Sequence, residues 1–324
     1  MQHLSKPTEP SALPQSPSVI FHAKDSWLSS IRDEKFDFTR KIANHAQSQG
    51  VLTYTVEAAT ALSTTLLDQN HAHIFIGHRP ETSRPILHAM PSYIWGFWYL
   101  DPMGVNWHAS LATKSFSPED IDATTATYFF NGVSGHMLRH NVSKFAQPTS
   151  KTELPSAHAV LFLQEIDSYA TPVHHIDTQK MIATVAKSTE RRVYVKLHPA
   201  QSEVFCNRYT SICKRFPNVH ISDQSIHALT KASDIVVTQN SAAGFEALLQ
   251  KKPVITCART DYHHATLVAH TPQELRKALR TAQATLAGFD YAKYLYWFLS
   301  EHMLEPQQDT FEARTWQRIS PLLG

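Results

Sequence analysis

The sequence predicts an α/β protein built from two Rossmann-like domains, and three observations carry that expectation. Residues 18–78 alternate strand, helix, strand, helix, strand, a βαβαβ pattern that calls for a parallel sheet with crossover helices. A second alternating series runs from 158 to 258. Between the two lies QPTSKTELPSA (147–157), rich in Pro, Ser and Thr, which reads as a linker. A chain of 324 residues has room for two domains, and 42% hydrophobic content supplies a core for each.

The opening residues 1–17 are rich in Pro and Ser and read as a disordered tail with no signal-peptide core. SVIFHA (18–23) is the first strand, and FDFTRKIANHAQSQG (36–50) is a helix stopped by Gly50. VLTYTVE (51–57) is a strand, 60–69 a helix and HAHIFIGH (71–78) a strand. Residues 86–110 are dense in aromatics and carry Pro91 and Pro102, so they read as an ordered loop. SPEDIDATTATYFFNGV (117–133) reads as a helix with Ser117 as N-cap and Pro118 at N1.

In the second series the strands are 158–164, 191–199, 218–223, 234–240 and 253–258. The helices are 175–189, 202–216, 225–232, 242–250, 271–286 and 289–304. Tyr294, Trp297 and Phe298 fall on one face of the last helix and read as core packing. The expected layout is therefore one Rossmann-like domain over 18–150, a second over 151–286, and helices over 287–324 that pack back. Two such domains facing each other across a cleft make the GT-B architecture.

A formal net charge of +2 gives no electrostatic footprint for nucleic acid. The 20 histidines are scattered without ligand spacing, so no metal site is expected. Three sparse cysteines fit a reducing compartment, and no apolar run is long enough to span a membrane. A cytoplasmic protein is the expectation. G-x-G-x-x-G, P-loop and G-x-S-x-G motifs are absent, against dinucleotide oxidoreductases, P-loop kinases and α/β-hydrolases.

Ligands of open α/β sheets sit at the carboxyl ends of strands. Two stretches end strands in polar and small residues: VYVKLHPAQ (193–201) and DIVVTQNSAAGFEALLQ (234–250). In the second, Ser241 and Ala242 open a helix whose free N–H groups attract phosphate, and Glu246 lies one turn in, placed to reach a ribose hydroxyl. In the first, His198 offers a charged donor without metal, with Pro199 fixing the turn. Tight helix packing and a plain loop histidine explain the same residues without a ligand. Lys196 reads equally as a surface lysine.

The ordered set KLHP (196–199), SIHALTKASD (225–234), QNSAAGFEAL (239–248) and KKPVITCARTDYHH (251–264) resembles the capsular polysaccharide proteins of the KpsC and KpsS kind, the Kdo transferases. VLFLQEIDSYATPVHH (160–175), with Gln164, fits that pattern too, whereas the N-terminal half matches loosely. The resemblance implies a metal-independent, cofactor-free GT-B glycosyltransferase. Its donor would be a CMP-activated sugar, Kdo foremost and sialic acid the other candidate, and its acceptor a glycan or glycolipid of the capsule or lipopolysaccharide. A peripheral place on the cytoplasmic membrane with other capsule-assembly proteins goes with that role.

Carried over residue by residue, His198, Pro199 and Ser241 hold the nucleotide phosphate, with Lys196, Gln239, Asn240, Ala242 and Glu246 beside them. The expected picture is two neighbouring strand ends gripping one phosphoryl group. LDPMG resembles the family's Asp-x-x-Gly element, which makes Asp101 the candidate catalytic carboxylate; a turn aspartate is the plain alternative. Asn106, His108 and Gln164 are candidates for acceptor or sugar binding, and Arg79 for pairing with the Kdo carboxylate. A UDP-sugar transferase or epimerase of the same fold, and a non-catalytic assembly scaffold, are the alternatives.

Overall fold

The computed structural model describes residues 1–4, 14–149 and 153–324. The middle of the expected tail and part of the linker lie outside the described residues. The chain divides into two compact units: Met1–Ser92 with Gly96–Lys114 and Leu299–Gly324, and Tyr93–Trp95 with Ser115–Phe298. The division at 114/115 falls well before the Pro-rich stretch 147–157, where the sequence predicts the linker.

The first unit's sheet takes β1 (Gln2–Leu4), β2 (Val19–Ala23), β3 (Thr53–Glu57), β4 (Ala72–Ile76), β5 (Leu87–Pro91) and β6 (Trp98–Asp101). Their order is β1-β3-β2-β4-β5-β6. β2 and β4 are buried along their whole length, as strands covered on both faces must be. Helices α1 (Asp25–Arg32) and α2 (Asp37–Ser48) cover one face of this sheet, and α3 (Ala61–Leu67) follows β3. The ring of Phe38 stacks on Trp98 at 4.5 Å.

Two expectations fail in this unit. Gln2–Leu4 is no part of a disordered tail: it pairs in parallel with Tyr54–Val56 as the edge strand. Residues 86–110 are not all loop, since β5 and β6 form an antiparallel hairpin there with Met90 opposite Tyr99. Apart from His88 and Asp101 at its base, its residues are apolar on both faces, so the alternation that marks a strand is missing.

The second unit's sheet is wholly parallel, with strands β7 (Ala157–Phe162), β8 (Val193–Lys196), β9 (Val219–Ile221), β10 (Ser233–Thr238), β11 (Val254–Thr256) and β12 (Leu267–Val268). Their order, β12-β11-β10-β7-β8-β9, is the doubly wound Rossmann order. From β7 the chain steps outward twice in one direction, then returns across β7 to build β10, β11 and β12. The switch point lies between β7 and β10. Helices α5 (Thr178–Ala186), α6 (Glu203–Cys213) and α9 (Pro272–Leu286) pack on one face around Leu161, Val195 and Val237. α7 (Ile226–Ala232) and α8 (Ala242–Ala247) follow β9 and β10.

The helix expected over 117–133 begins later. Pro118–Asp120 is a single 3-10 turn, Ile121 is extended, and α4 (Ala123–Arg139) starts on Asp122, whose carboxylate accepts from the Thr125 amide at 2.8 Å. The expected last helix also splits. α10 (Tyr291–Leu295) passes into a π-helical stretch over Tyr296–His302, and α11 (Phe311–Ile319) follows. Tyr294, Trp297 and Phe298 are buried as expected. Phe311 closes on Phe38 at 5.8 Å inside the first unit.

Candidate functional site

The carboxyl ends of β7 and β10 part at the switch point of the second unit, the place where doubly wound sheets bind ligands. β10 runs into Gln239, Asn240 and Ser241 and then α8. The Ser241 hydroxyl accepts from the Ala243 amide at 3.3 Å, capping the helix. The Ser241 carbonyl accepts from the Tyr262 hydroxyl at 2.8 Å. A Cβ on Gly244 would stand 2.7 Å from Thr238 Cγ2 and 2.9 Å from the Tyr262 hydroxyl. The glycine here is thus required by the packing of Thr238 and Tyr262 against the helix. Ser241 keeps only a sliver of exposure, 9%.

Gln239 and Asn240 are framework. The Gln239 amide donates to Asp167 at 2.8 Å and to the Ile176 carbonyl at 3.1 Å, and its oxygen accepts from Thr178 Oγ1 at 3.3 Å. Asn240 donates to the Arg259 carbonyl at 2.9 Å and accepts from Gln164. Gln164 is therefore committed to joining the β7 and β10 ends. Asp167, which the sequence reading passed over, is the hub: it also accepts from the Thr178 amide at 3.0 Å and the Tyr209 hydroxyl at 2.9 Å.

β8 and β10 are not neighbours, because β7 stands between them. At about 4.8 Å per strand their ends are some 10 Å apart. Lys196 is spent on the Asp223 and Gln224 carbonyls at 2.7 and 2.8 Å. His198 Nδ1 accepts from the Ala200 amide at 3.2 Å, so the ring proton sits on Nε2. Burial lowers its pKa and keeps it neutral near pH 7, against the charged donor the sequence suggested. Pro199 is exposed on the turn.

What brings His198 and α8 together is the strap 141–147, which follows α4. Phe145 meets the His198 ring edge-on at 4.9 Å. Ser143 donates to Glu246 at 2.9 Å. These strap residues are two apart, at most about 7 Å from Cα to Cα. Lys144 stands between them, exposed to solvent, with its ammonium 5.8 Å from the ring centre of Tyr93. Crowding at that ammonium lowers its pKa, while Glu246 and Asp261 nearby oppose the shift.

Glu246 does not reach outward for a ribose. It is 2% exposed, and burial pushes its pKa up to about 8, against the pull of Ser143 and Lys144. His227 Nε2 lies 3.8 Å from its second oxygen but donates to the Val142 carbonyl at 2.8 Å. Burial lowers the His227 pKa, so this contact is not an ion pair. Tyr93, stacked on Phe245 at 5.0 Å, donates to the buried Asp261 at 2.7 Å. No regular pattern in the sequence marks Tyr93, Ser143, Lys144 or Asp261. They lie on irregular segments whose role comes from tertiary packing.

In the first unit Asp101 is a loop staple. Its carboxylate accepts from the amides of Met103 at 2.8 Å, Gly104 at 3.1 Å and Ser110 at 3.0 Å, and from the Ser110 hydroxyl at 2.5 Å. A base needs a lone pair aimed at substrate, and these are taken; the turn-aspartate alternative describes Asp101 better. Asn106 holds a left-handed φ of 53°, where Asn is tolerated. His108 Nδ1 lies 3.3 Å from Arg79 Nη1, so the candidates Arg79 and His108 do meet. Among the described residues no group of three His, Cys, Asp or Glu could hold a metal, and no helix is long and apolar enough to cross a membrane.

Residues 157–297 match the family described as capsule polysaccharide biosynthesis protein. The structure is similar to two transferase structures of KpsC from Thermosulfurimonas dismutans. The beta Kdo 2,7 transferase is 15% identical, covering 80% of this chain and 88% of that one at a TM-score of 0.50. The beta Kdo 2,4 transferase is 16% identical, covering 83% and 91% at a TM-score of 0.50. No curated protein sequence matches the chain. At such identities the likeness is one of fold, two Rossmann-like units of the GT-B type. The match over residues 157–297 takes in the sheet and the strand ends that carry the candidate site, and it makes that part of the chain similar to the capsule polysaccharide biosynthesis family.

Proposed function

We propose that this protein is a metal-independent glycosyltransferase of surface-glycan assembly, taking a CMP-activated sugar, Kdo foremost, and passing it to a capsule or lipopolysaccharide acceptor. The observation that carries the reading is the 141–147 strap, which gathers His198 and Lys144 beside α8 at the switch point of a capsule-family Rossmann unit. When a CMP-sugar reacts, the acceptor hydroxyl oxygen bonds to the anomeric carbon, the C–O bond to phosphate breaks, CMP leaves with the bonding pair, and the acceptor proton passes to solvent or to the departing phosphate. Lys144 supplies positive charge and His198 Nε2 a hydrogen bond to that departing phosphate, in place of a divalent cation. Asp101 has no part in this step.

Calorimetry with CMP tests the reading. Lys144→Ala and His198→Ala should each weaken CMP by about ten-fold or more, since each removes a charge-assisted or direct hydrogen bond to phosphate. Equal affinity in both variants would overturn it. Preference for UMP over CMP would favour a UDP-sugar enzyme instead.

A further inference from the structure

The first unit holds a cavity of about 400 Å³ that the donor chemistry leaves unused. It lies at the base of the β5–β6 hairpin, where Asp101 opposes His88 rather than at the hairpin tip, against the chain's last helical segments. Lys114, His302 and Arg318 line it together with Asp101. Apolar wall comes from Leu111 and Met303.

Two permanent cations, Lys114 and Arg318, line the cavity against one carboxylate. Asp101 is the one carboxylate lining the cavity, and its oxygens are held by the loop amides and Ser110. Arg318 donates one N–H to the Leu100 carbonyl at 2.8 Å, and no carboxylate lies within ion-pair distance of it among the described residues. Arg314 stands close enough to repel it, and burial and then Arg314 lower the Arg318 pKa, with Asp101 opposing the shift. His302 is pushed down to about 4 by burial and then by Lys114, Arg318 and Arg314, against the pull of Asp101. A half-buried guanidinium among like charges is costly unless an anion completes the set. Planar, bidentate oxyanion recognition is what a guanidinium does best.

We propose that this cavity is a second ligand site, one that takes an acidic monosaccharide. Lys114 and Arg318 hold its carboxylate or phosphate, and the Leu111–Met303 wall packs the carbon face of the ring. The volume is at the small end of small-molecule sites and suits one sugar ring rather than a whole nucleotide sugar. The site is confined to the first unit and does not depend on the nucleotide reading of the second.

The test is calorimetry on the full chain with glucuronate, glucose 1-phosphate and glucose. At least one acidic sugar should bind, with glucose about ten-fold weaker or undetectable; which acidic sugar binds names carboxylate or phosphate as the recognised group. Lys114→Gln and Arg318→Gln should each weaken that binding by about ten-fold, while the charge-matched Lys187→Gln on the other unit leaves it unchanged. Lys114 is exposed, so its variant decides the matter even if Arg318→Gln fails to fold. CMP affinity should stay the same in Lys114→Gln, which separates this site from the donor site. No acidic sugar bound at about 10 mM, glucose bound equally well, or Lys114→Gln binding like the parent would each overturn the proposal.

Discussion

The Ser143 hydroxyl donates to the Glu246 carboxylate at 2.9 Å, and this bond pins the strap 141–147 to α8. With the strap pinned, Lys144 and Phe145 are delivered to Tyr93 and to His198. A buried carboxylate that sequence assigns to a ribose is instead the anchor for the cation beside the strand ends.

Glu246 should make the second unit less stable as pH rises. Its folded pKa is about 8 against an ordinary 4.5, so the folded state holds the proton longer. The contribution is full below pH 4.5 and is lost as pH climbs to 8, a change of a few kcal/mol. Glu246→Gln keeps the shape of the neutral form and should flatten that slope. Thermal melts at pH 5.5 and 8 check it, and an unchanged slope in the variant would show that Glu246 is ionised in the fold.

The first unit should respond in the opposite sense. His22 Nε2 donates to His73 Nδ1 at 2.9 Å, Ser63 donates to His22 Nδ1 at 2.8 Å, and His73 Nε2 donates to the Gln69 carbonyl at 3.3 Å. Burial first, then neighbouring histidines, lowers His22 to about 2, and burial lowers His73 to about 4. Both are neutral in the fold but protonate near 6.5 once unfolded. Stability contributed above pH 6.5 is therefore lost as pH falls towards 4, by about 3 kcal/mol for His73 alone. Urea midpoints at pH 7 and 5 measure the loss. The double change His22→Asn with His73→Gln should remove most of it.

Gly244→Ala should destabilise by about 1–3 kcal/mol, because its Cβ collides with Thr238 and the Tyr262 hydroxyl. Tyr262→Phe should cost about 1 kcal/mol through the lost bond to the Ser241 carbonyl. The two should be less than additive, since removing the hydroxyl makes room for the methyl. Strict additivity in denaturant melts would mean that the clash is with Thr238 alone.

Much of the fold was legible because parallel strands leave continuous apolar runs such as VYV and DIVV, set between polar turns. The family motifs likewise located Ser241 and His198 at strand ends. The β5–β6 hairpin was not legible, as both its faces are buried and no period survives. Lys144 was invisible for a different reason. Its place is set by Ser143, which bonds to a glutamate 103 residues away, and no local pattern encodes a pairing at that distance. Gln239, Asn240 and Gln164 were found at the right place but with the wrong task, because polarity at a strand end marks framework bonds and ligand bonds alike.

Asp101 separates a structural from a chemical carboxylate. As a staple it loses one strong acceptor on change to Asn, because the amide cannot accept from the Ser110 hydroxyl and the loop amides with both its terminal atoms. Asp101→Asn should therefore lower stability by about 1–3 kcal/mol and reduce transfer by less than about ten-fold at temperatures well below its melting point. Loss of a general base would instead slow transfer by about 10²–10⁴-fold with little change in the melt. Measuring kcat and Tm on the same preparation distinguishes the two. A folded variant slowed a thousand-fold would restore Asp101 to the chemistry and show that its loop bonds open when acceptor binds.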